Sequence, residues 1–435
     1  MSHARDGAAS PKRPRPPRAE TRASEAMKHR RSERQRVLVL GGGFAGLAAA
    51  LALRPDRHEV TLIDRSRWFE FLPNIHELVS GVKTAALLRL PLDRSVERAG
   101  HSFLRDTVTD IDTAMRRVAT RRRRSPLGYD ALIVALGGVD ATRGVPGVAE
   151  HAFPFKSVEQ CDRIGRRLAR LAARRRRTSV VIVGGGLEGV EALGEILRRH
   201  RESSVHVTLV EARERLLPES PASLDGHLRK LCARHAVDFA LGVPVRSIEP
   251  GAVVLGDGRT LASDLTIWTG GPAPPALLAD CGLAPRGGWA PVEATLQSRS
   301  HPEIFVAGDA ADLPKPLSKQ GYHALDMGVC AAHNAERLLA GHKLVPFRPS
   351  GKPTLISFGD LTCFLVVGER AVAGPSLGAA KEAVFELVMA QLDSESWWRR
   401  LPRMAERAES AVRRLLWPSV SSLEALRRQH RLSVL

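Results

Sequence analysis

The chain has 435 residues, of which 43% are hydrophobic, enough for ordinary globular cores in two or three domains. Its formal charge of +18 is concentrated at the ends, since residues 1–36 carry eleven Lys/Arg against four Asp/Glu and residues 397–435 carry nine against three. A nearly neutral middle argues against a nucleic-acid groove built into the fold. Basic ends suit an anionic surface such as a membrane, or are simply solvated.

Targeting and disulfide signals are weak throughout the chain. The Arg/Pro-rich residues 1–35 have no apolar period and predict a disordered basic tail without a secretory signal. The five cysteines are widely spaced, which fits a reducing cytoplasm and no disulfide framework. The sequence contains no stretch of 18 or more apolar residues, so it predicts no membrane-spanning helix. We therefore expect a cytoplasmic protein, peripheral on the inner face of the cell membrane.

The first ordered segment is a βαβ pattern at residues 36–64. VLVLGGGFAGLAAAL places Gly41, Gly43 and Gly46 in the GxGxxG spacing between a strand and a helix. The first glycine permits a tight turn, the second lets the backbone approach a pyrophosphate, and the third lets helix pack on strand. Asp64 ends the second strand, where a carboxylate can accept hydrogen bonds from ribose hydroxyls.

A second copy of the motif stands 143 positions later, in VVIVGGGLEGVEALGEIL. Gly184, Gly186 and Gly189 repeat the spacing, and Glu211 ends the following strand as Asp64 does in the first unit. Two structural glycine turns are the simpler interpretation, but the strand–glycine–helix context occurs twice with an acid after each. The sequence predicts two bound dinucleotides, with electrons passing between them.

The element order predicts an α/β protein with two Rossmann-like dinucleotide-binding domains, the second inserted into the first, plus a C-terminal region with an amphipathic helix. The YDALIVALGG segment predicts a buried strand that ends at glycine. HPEIFVAGDAAD follows the second unit yet resembles the closing strand of a flavin domain. The expected divisions are a tail at 1–35, a first domain at 36–150 and 301–345, a second domain at 151–300, an α+β region at 346–395 and a basic helical tail at 396–435.

The C-terminal tail has apolar residues at a 3.6-residue period from Leu401 to Leu416, with arginines mostly off that stripe. Trp397, Trp398 and Trp417 flank it, a pattern typical of an interfacial helix lying in a bilayer surface. A helix packed on the protein's own body or on the second subunit of a homodimer would show the same pattern, so both alternatives stay open.

With these motifs in order, residues 36 to 345 resemble the two-dinucleotide-binding flavoproteins. Within them the chain is similar to type II NADH:quinone dehydrogenases and the related ferroptosis-suppressor and apoptosis-inducing-factor-like oxidoreductases. The resemblance implies FAD at the first glycine motif, with YDALIVALGG and EIFVAGDAAD as the family's second and third flavin motifs. The implied FAD contacts are Gly41, Gly43, Phe44, Ala45, Gly46, Asp64, Arg65, Val108, Ala135, Gly137, Gly308 and Asp309.

The same resemblance implies NAD(P)H at the second glycine motif, contacted by Gly184, Gly186, Gly189 and Glu211. GGGLEGVEALGE is similar to the family's GGGxxGVExAGE, so Glu191 maps onto a glutamate near the nicotinamide and Gly271 onto a backbone contact there. An acid near the helix N-terminus, favoured there by the helix dipole, is the alternative for Glu191. Glu211 would repel a 2′-phosphate and favours NADH, although Arg213 could accommodate NADPH.

The electron acceptor is the harder question. RWFEFLPNIHELVSG, where disulfide reductases of this superfamily hold a cysteine pair, has no cysteine, which excludes a dithiol relay there. PLSKQGYHALDMG matches only part of the quinone-site pattern of type II dehydrogenases, keeping Gln320, while Lys319 looks closer to the ferroptosis-suppressor branch. Lys319 could stabilise negative charge on a reduced ring. Lys381 is similar to a lysine that this branch places by the flavin.

The prediction is a FAD-dependent NADH:quinone oxidoreductase that takes hydride from NADH and passes two electrons to a membrane quinone without proton pumping. Glu191, Lys319 and Gln320 are the expected catalytic residues, and no metal is implied. The alternatives are a ferredoxin- or rubredoxin-type reductase, a sulfide:quinone oxidoreductase, and a signalling flavoprotein switched by NADH. Rapid electron transfer to quinone would distinguish an NADH:quinone oxidoreductase from the ferredoxin- or rubredoxin-type reductase and from the signalling flavoprotein. A sulfide:quinone oxidoreductase also reduces quinone, but it needs redox cysteines at the flavin.

Overall fold

The computed structural model describes residues 34–174 and 176–393, together with the backbone of residues 433 and 434. The expected tail at 1–35 therefore lies almost entirely outside the described residues, as does nearly all of the basic tail at 396–435. Ser433–Val434 is a short strand that pairs with Arg370–Ala373, so the end of the predicted helical tail is extended instead.

A five-stranded parallel sheet forms the first unit. Two of its strands, Ala131–Val134 and Ile304–Val306, are wholly apolar and buried, as expected where both faces of a parallel sheet are covered. In spatial order the five strands are Ile304–Val306, Ala131–Val134, Gln35–Leu40, His58–Asp64 and Ser102–Arg105. The helix Phe44–Ala52 follows the central strand and packs against the long helix Gly321–Leu339.

A second five-stranded parallel sheet lies between these elements in the chain. In spatial order its strands are Phe153–Pro154, Leu265–Trp268, Thr178–Val183, Val205–Glu211 and Val237–Leu241. The helices are Val158–Ala172, Leu187–His200, Ser223–Cys232 and Ala276–Asp280. Because Ile304–Val306 returns to pair with Ala131–Val134, the second Rossmann-like unit is inserted into the first, as predicted.

The third region is an antiparallel sheet with one helix. The segment PTLISFGDLTCFLVVGERAVAG contains three strands. They are Thr354–Phe358, Thr362–Val367 and Arg370–Ala373, followed by the helix Leu377–Leu392. Strand Thr354–Phe358 packs on the helix Leu187–His200, which brings this region to the second glycine motif.

Smaller ladders and short helices complete the described chain. Three-stranded antiparallel sheets are formed by Val108–Asp112, Arg117–Thr120 and Leu127–Gly128, and by Val245–Glu249, Ala252–Leu255 and Thr260–Ala262. Two-stranded ladders pair Trp68–Glu70 with Arg89–Pro91, Val139–Asp140 with Pro272–Ala273, and Ala290–Pro291 with Ala311–Asp312. Short helices are Leu72–Asn74, Glu77–Ser80, Leu92–Arg98, Val148–His151 and Gly308–Ala310.

His200, the last residue of the helix Leu187–His200, should make stability depend on pH. Burial, with a smaller effect from Arg199, lowers the pKa of His200 to about 4, and its Nε2 has no hydrogen-bond partner in the described structure. In the unfolded chain His200 is protonated below pH ~6.5, whereas in the folded chain it stays neutral down to pH ~4. The unfolded state therefore binds more protons in this range, and the free energy of unfolding falls as the pH falls from ~6.5 to ~4. We expect His200→Gln to flatten the dependence of the urea midpoint between pH 7 and pH 5. His342→Gln, at an exposed histidine, should leave it unchanged.

Candidate active site

A single large cavity of about 2310 Å³ lies between the two glycine motifs and the third region. Most of the residues that the sequence predicted for the site line it. These are Gly41, Gly43, Phe44, Ala45, Asp64, Arg65, Val108, Ala135, Gly137, Gly186, Glu191, Gly271, Gly308, Asp309, Lys319 and Gln320. Gly46, Gly184, Gly189 and Glu211 do not line it.

The first glycine loop has a distinct steric reason for each glycine. Gly41 has φ +98° and lies against the carbonyl of Ala135, so a side chain there would be both strained and blocked. A Cβ on Gly46 would overlap the carbonyl oxygen of Gly41. At Gly43 nothing lies within 4 Å of the Cβ position, and this open point is at the start of the helix Phe44–Ala52.

The start of that helix fits an anionic group. Gly43 provides no side-chain cap, and the first turn contains no acidic residue, so no carboxylate of the helix itself occupies its positive end at the cavity. Asp64 fixes the loop from behind, because its Oδ2 accepts the Gly42 N–H at 2.6 Å and its Oδ1 accepts the Ser66 N–H at 2.6 Å. Burial raises the pKa of Asp64, and these two hydrogen bonds oppose that rise.

The second glycine loop repeats this construction. Gly186 leaves open space at the start of the helix Leu187–His200, and a Cβ on Gly189 would overlap the carbonyl oxygen of Gly184. Glu211 accepts the Gly185 N–H at 2.6 Å and the Arg213 N–H at 2.9 Å. The Arg213 guanidinium, which the sequence offered as a phosphate partner, is instead paired with Glu219, a residue at the cavity.

Glu191 lies at the meeting point of all three regions. Its Oε1 accepts hydrogen bonds from Lys381 Nζ and, at 3.0 Å, from the Ser357 N–H. Its Oε2 lies 3.5 Å from His76 Nδ1. Burial alone would raise the pKa of Glu191, but the charges of His76 and Lys381 outweigh burial and hold it below the ordinary value. The carboxylate is therefore ionised and fixed at the cavity wall.

A second ion pair at the cavity was not anticipated from the sequence. Lys156 donates to Glu188 in the first turn of the helix Leu187–His200. Burial raises the pKa of Glu188, and Lys156 opposes that rise. Lys156 precedes the helix cap Ser157 and carries no motif of its own, so only the folded arrangement of the two units brings it to Glu188.

Lys319 binds the backbone of the third flavin-type motif, EIFVAGDAAD, through Asp309. Lys319 Nζ donates to the backbone carbonyl of Asp309 and lies 3.6 Å from the centroid of the Trp289 ring, a cation–π contact. Burial lowers the pKa of Lys319, against the attraction of Asp309. Gln320 Nε2 donates to Ser318 Oγ at 2.9 Å and to Thr354 Oγ1 at 3.1 Å.

Cysteine and metal chemistry have little support at this cavity. All five cysteines lie in the described part of the chain, and none lines the cavity. Among the described residues, one group has metal-ligand spacing, formed by His76, Glu77 and Glu195. Its two carboxylates already face Lys83 and Arg198, which supply the positive charge that an ion would otherwise bring.

Two Rossmann-like units with paired glycine loops that open on one cavity define a FAD- and pyridine nucleotide-dependent oxidoreductase. The open Gly43 position and the uncapped helix beneath it fit the pyrophosphate of FAD. The sequence matches the profile of the pyridine nucleotide-disulphide oxidoreductase family over residues 35–336, and the chain belongs to this family. The predicted family and fold class are confirmed.

Individual relatives narrow the similarity. This chain is 29% identical to the type II NADH:quinone oxidoreductase of Staphylococcus epidermidis and 27% identical to that of Staphylococcus aureus. Each alignment covers 81% of this chain and 94% of the relative. The solved NDH2 of Plasmodium falciparum in complex with NADH has a TM-score of 0.74 at 16% identity, over 87% of this chain and 98% of that one. The sulfide:quinone oxidoreductase of Aquifex aeolicus has a TM-score of 0.72 at 21% identity, covering 92% and 97%. The two structures show a shared fold.

Proposed function

We propose that this protein is an NADH:quinone oxidoreductase that catalyses NADH + H⁺ + quinone → NAD⁺ + quinol without proton pumping. The observation that carries the proposal is the single cavity, which connects both glycine loops with an apolar opening in the third region and has no cysteine in its lining. A sulfide:quinone oxidoreductase needs redox cysteines at this place. The long alignment with type II NADH:quinone oxidoreductases supports the same assignment.

The protein's part in this reaction is binding, orientation and local charge. FAD, when bound, supplies the two-electron redox chemistry. The first glycine loop, together with Asp64 and Asp309 in the lining of the cavity, is the proposed FAD site. The second loop, with Glu191, Gly271 and the fixed Glu211, is the proposed NADH site. Lys319 and Gln320 act as positioning residues, because their polar groups hold Asp309 and Thr354.

The decisive experiment separates the two half-reactions. The purified yellow protein is reduced anaerobically with one equivalent of NADH, which should bleach the flavin band near ~450 nm. A short-chain ubiquinone or menaquinone is then added. Rapid return of the band supports the proposal. Bleaching without return would keep NADH oxidation and reject quinone as the acceptor.

The second site should prefer NADH to NADPH. Glu211 and Glu219 place two carboxylates at the edge of the second glycine loop, and Arg213 is occupied by Glu219. We expect Glu219→Gln to free the Arg213 guanidinium and to reduce the preference for NADH over NADPH, measured as the ratio of the two kcat/KM values, by up to ~5-fold, the scale of an exposed charge contact. Glu211→Ala should narrow the ratio too, but with loss of NADH binding because it also releases the loop. An unchanged ratio in both variants would remove these acids from nucleotide selection.

A membrane surface is the proposed origin of the quinone. The cavity opens between exposed apolar side chains from three separate segments. They are Leu72, Val329, Val384 and Leu387. Among the described residues, no helix is both long and apolar enough to cross a bilayer. The helix Leu377–Leu392 that carries Val384 and Leu387 leads directly into the basic tail, so the opening and the predicted interfacial helix adjoin along the chain.

Leu387→Asp is expected to weaken sedimentation with anionic vesicles by several-fold, because Leu387 is 70% exposed at the cavity opening and a carboxylate there is repelled by the lipid surface. Met115→Asp, at an apolar residue that is 60% exposed in the turn between Val108–Asp112 and Arg117–Thr120 and does not line the cavity, is the control and should sediment normally. Deletion of residues 397–435 should release the protein while NADH oxidation by a soluble quinone persists. Continued sedimentation of the truncated protein would contradict the anchor.

A further inference from the structure

An ion pair that no sequence motif covers lies at the cavity, between Lys156 and Glu188. Lys156 Nζ donates to Glu188 Oε1, and both residues line the cavity. The exposed fractions of the two side chains are 25% and 32%, so the pair is accessible to a ligand rather than sealed in the interior. In the pattern GGGxxGVExAGE, Glu188 occupies a position that the pattern leaves open, so the pair is a property of this chain rather than of the motif.

Neighbouring groups hold the pair in one place. The Lys156 backbone N–H donates to Gln160 Oε1 at 2.7 Å, and Gln160 Nε2 donates to Asp140 Oδ2 at 2.9 Å. Glu188 is held separately, because it lies in the first turn of the helix Leu187–His200. Two elements therefore present one ammonium and one carboxylate at a fixed point, which limits the conformational entropy lost when a ligand binds there.

The pair lies between the two proposed dinucleotide sites. Glu188 is two residues after Gly186, the open point of the second glycine loop, and three residues before Glu191 on the same helix. Residues three apart lie on one face of a helix, and both carboxylates line the cavity. On the other side, burial raises the pKa of Asp309, and Lys156 is among the charges that oppose that rise. Lys156 is therefore close to the proposed FAD site as well as to the second loop.

The pair matches the polar group of a nicotinamide ring. A primary carboxamide has a carbonyl acceptor and an NH2 donor side by side, and an ammonium beside a carboxylate has a donor and an acceptor in the same arrangement. Lys156 Nζ has two N–H groups beyond the one given to Glu188. Glu188 Oε2 accepts no hydrogen bond from the described residues. Both side chains can therefore bind a ligand without breaking their own contact.

We propose that this pair recognises the carboxamide of NADH, with Lys156 binding its carbonyl oxygen and Glu188 binding its NH2 group. The inference rests on the proposed function and deepens its NADH half. An analogue with a carboxylate in place of the amide lacks the NH2 donor and brings a negative charge towards Glu188. The charge of Lys156 is already balanced by Glu188, so the pair has no net attraction for an acid. The pair thus selects amide-bearing pyridine nucleotides against their acid analogues.

The test measures binding, so it does not depend on turnover. The FAD-loaded wild-type protein and the Glu188→Gln and Lys156→Gln variants are titrated in a calorimeter with three probes. These are NAD⁺, nicotinic acid adenine dinucleotide, which has a carboxylate in place of the amide, and ADP-ribose, which has no pyridine ring. Glu159→Gln is the matched control, because it removes a carboxylate from another exposed residue of the cavity lining, in the first turn of the helix Val158–Ala172. Bleaching of the flavin band by NADH is recorded for each protein.

We expect the wild-type protein to bind NAD⁺ at least ~10-fold more tightly than the acid analogue, the scale of a hydrogen bond to a charged group. Glu188→Gln should reduce this preference by at least ~5-fold, because the new amide carries no charge and can donate to the acid. Lys156→Gln should weaken NAD⁺ binding by up to ~10-fold. ADP-ribose should bind all four proteins within ~2-fold of one another, since it lacks the group that the pair binds. Glu159→Gln should keep the wild-type preference.

Three results would contradict the inference. If Glu188→Gln weakened ADP-ribose as much as NAD⁺, or left the preference for the amide unchanged, the pair would only shape the second loop. A wild-type protein that NADH reduces but that binds the acid analogue as tightly as NAD⁺ would overturn the inference and leave the proposed function intact. A wild-type protein that binds neither NAD⁺ nor ADP-ribose and is not reduced by NADH would refute the proposed function, and this inference with it.

Discussion

Gly46→Ala is expected to yield protein without bound FAD, whereas Gly189→Ala is expected to yield yellow protein that NADH no longer reduces efficiently. The two substitutions place the same methyl group at equivalent points of the two glycine loops. In each, the new Cβ would overlap the carbonyl oxygen of the first glycine, Gly41 or Gly184. Backbone atoms cannot rotate away as a side chain can, so the loop and the start of its helix must shift together.

The size of the effect follows from packing and from the position of the loop. An added methyl in a closed contact costs ~1–3 kcal/mol or more, and a similar loss in binding lowers an affinity by ~10–100-fold. The loop also forms the proposed pyrophosphate site, so displacement removes hydrogen bonds to the ligand. We therefore expect an absorbance ratio of FAD to protein near zero for Gly46→Ala. For Gly189→Ala we expect a normal ratio with NADH bleaching at least ~10-fold slower.

Gly226→Ala provides the control, because Gly226 lies inside the helix Ser223–Cys232 with nothing within 4 Å of its Cβ position. Alanine stabilises a helix interior by up to ~1 kcal/mol relative to glycine, so this variant should keep both FAD and NADH reduction. The pair of site variants also separates the two proposed sites. If Gly189→Ala lost FAD as completely as Gly46→Ala, the assignment of one dinucleotide to each loop would be wrong.

Local sequence was sufficient for the parts of the site that are built locally. A strand, a glycine turn and the following helix occupy about 20 consecutive residues, and an acid ends the next strand. The segments from Gly41 to Asp64 and from Gly184 to Glu211 can therefore each be recognised from sequence as one dinucleotide-binding unit. The insertion of the second unit was readable for the same reason, because HPEIFVAGDAAD carries the pattern of a strand that belongs to the first sheet.

The charged contacts could not be derived this way. Glu191 and Lys381 are 190 positions apart, and Lys83 and Glu382 are 299 positions apart, so each pair depends on how the third region docks on the two Rossmann-like units. Lys156 lies just before the helix Val158–Ala172, Glu188 lies in the helix Leu187–His200, and the two residues share no motif. Sequence resemblance suggested Lys381, but only the fold shows that it closes on Glu191. The predicted roles of Lys319 and Gln320 stay predictions, since both side chains are engaged by neighbouring protein groups.

Lys381→Met is expected to destabilise the protein by ~3–5 kcal/mol, because it leaves the buried Glu191 carboxylate without the ammonium group that pairs with it. The Lys381→Met/Glu191→Gln double variant should recover most of that loss, since it removes the charge together with its partner. Both side chains are largely buried, with exposed fractions of 7% and 13%. Denaturant midpoints of the FAD-bound proteins measure the difference.

Lys352→Met is the matched control. Lys352 also forms a direct ion pair, with Asp326 at 2.6 Å, but the exposed fractions of the two side chains are 37% and 35%. We therefore expect the free energy of unfolding to fall by at most ~1 kcal/mol. Activity distinguishes packing from chemistry in the buried pair. In one outcome the double variant regains stability, but quinone oxidises its reduced FAD as slowly as in Lys381→Met. The charges of Glu191 and Lys381 at the cavity wall then contribute to the reaction itself. If stability and turnover return together, the pair only holds the helix Leu377–Leu392 in place, and the charged wall has no separate part in catalysis.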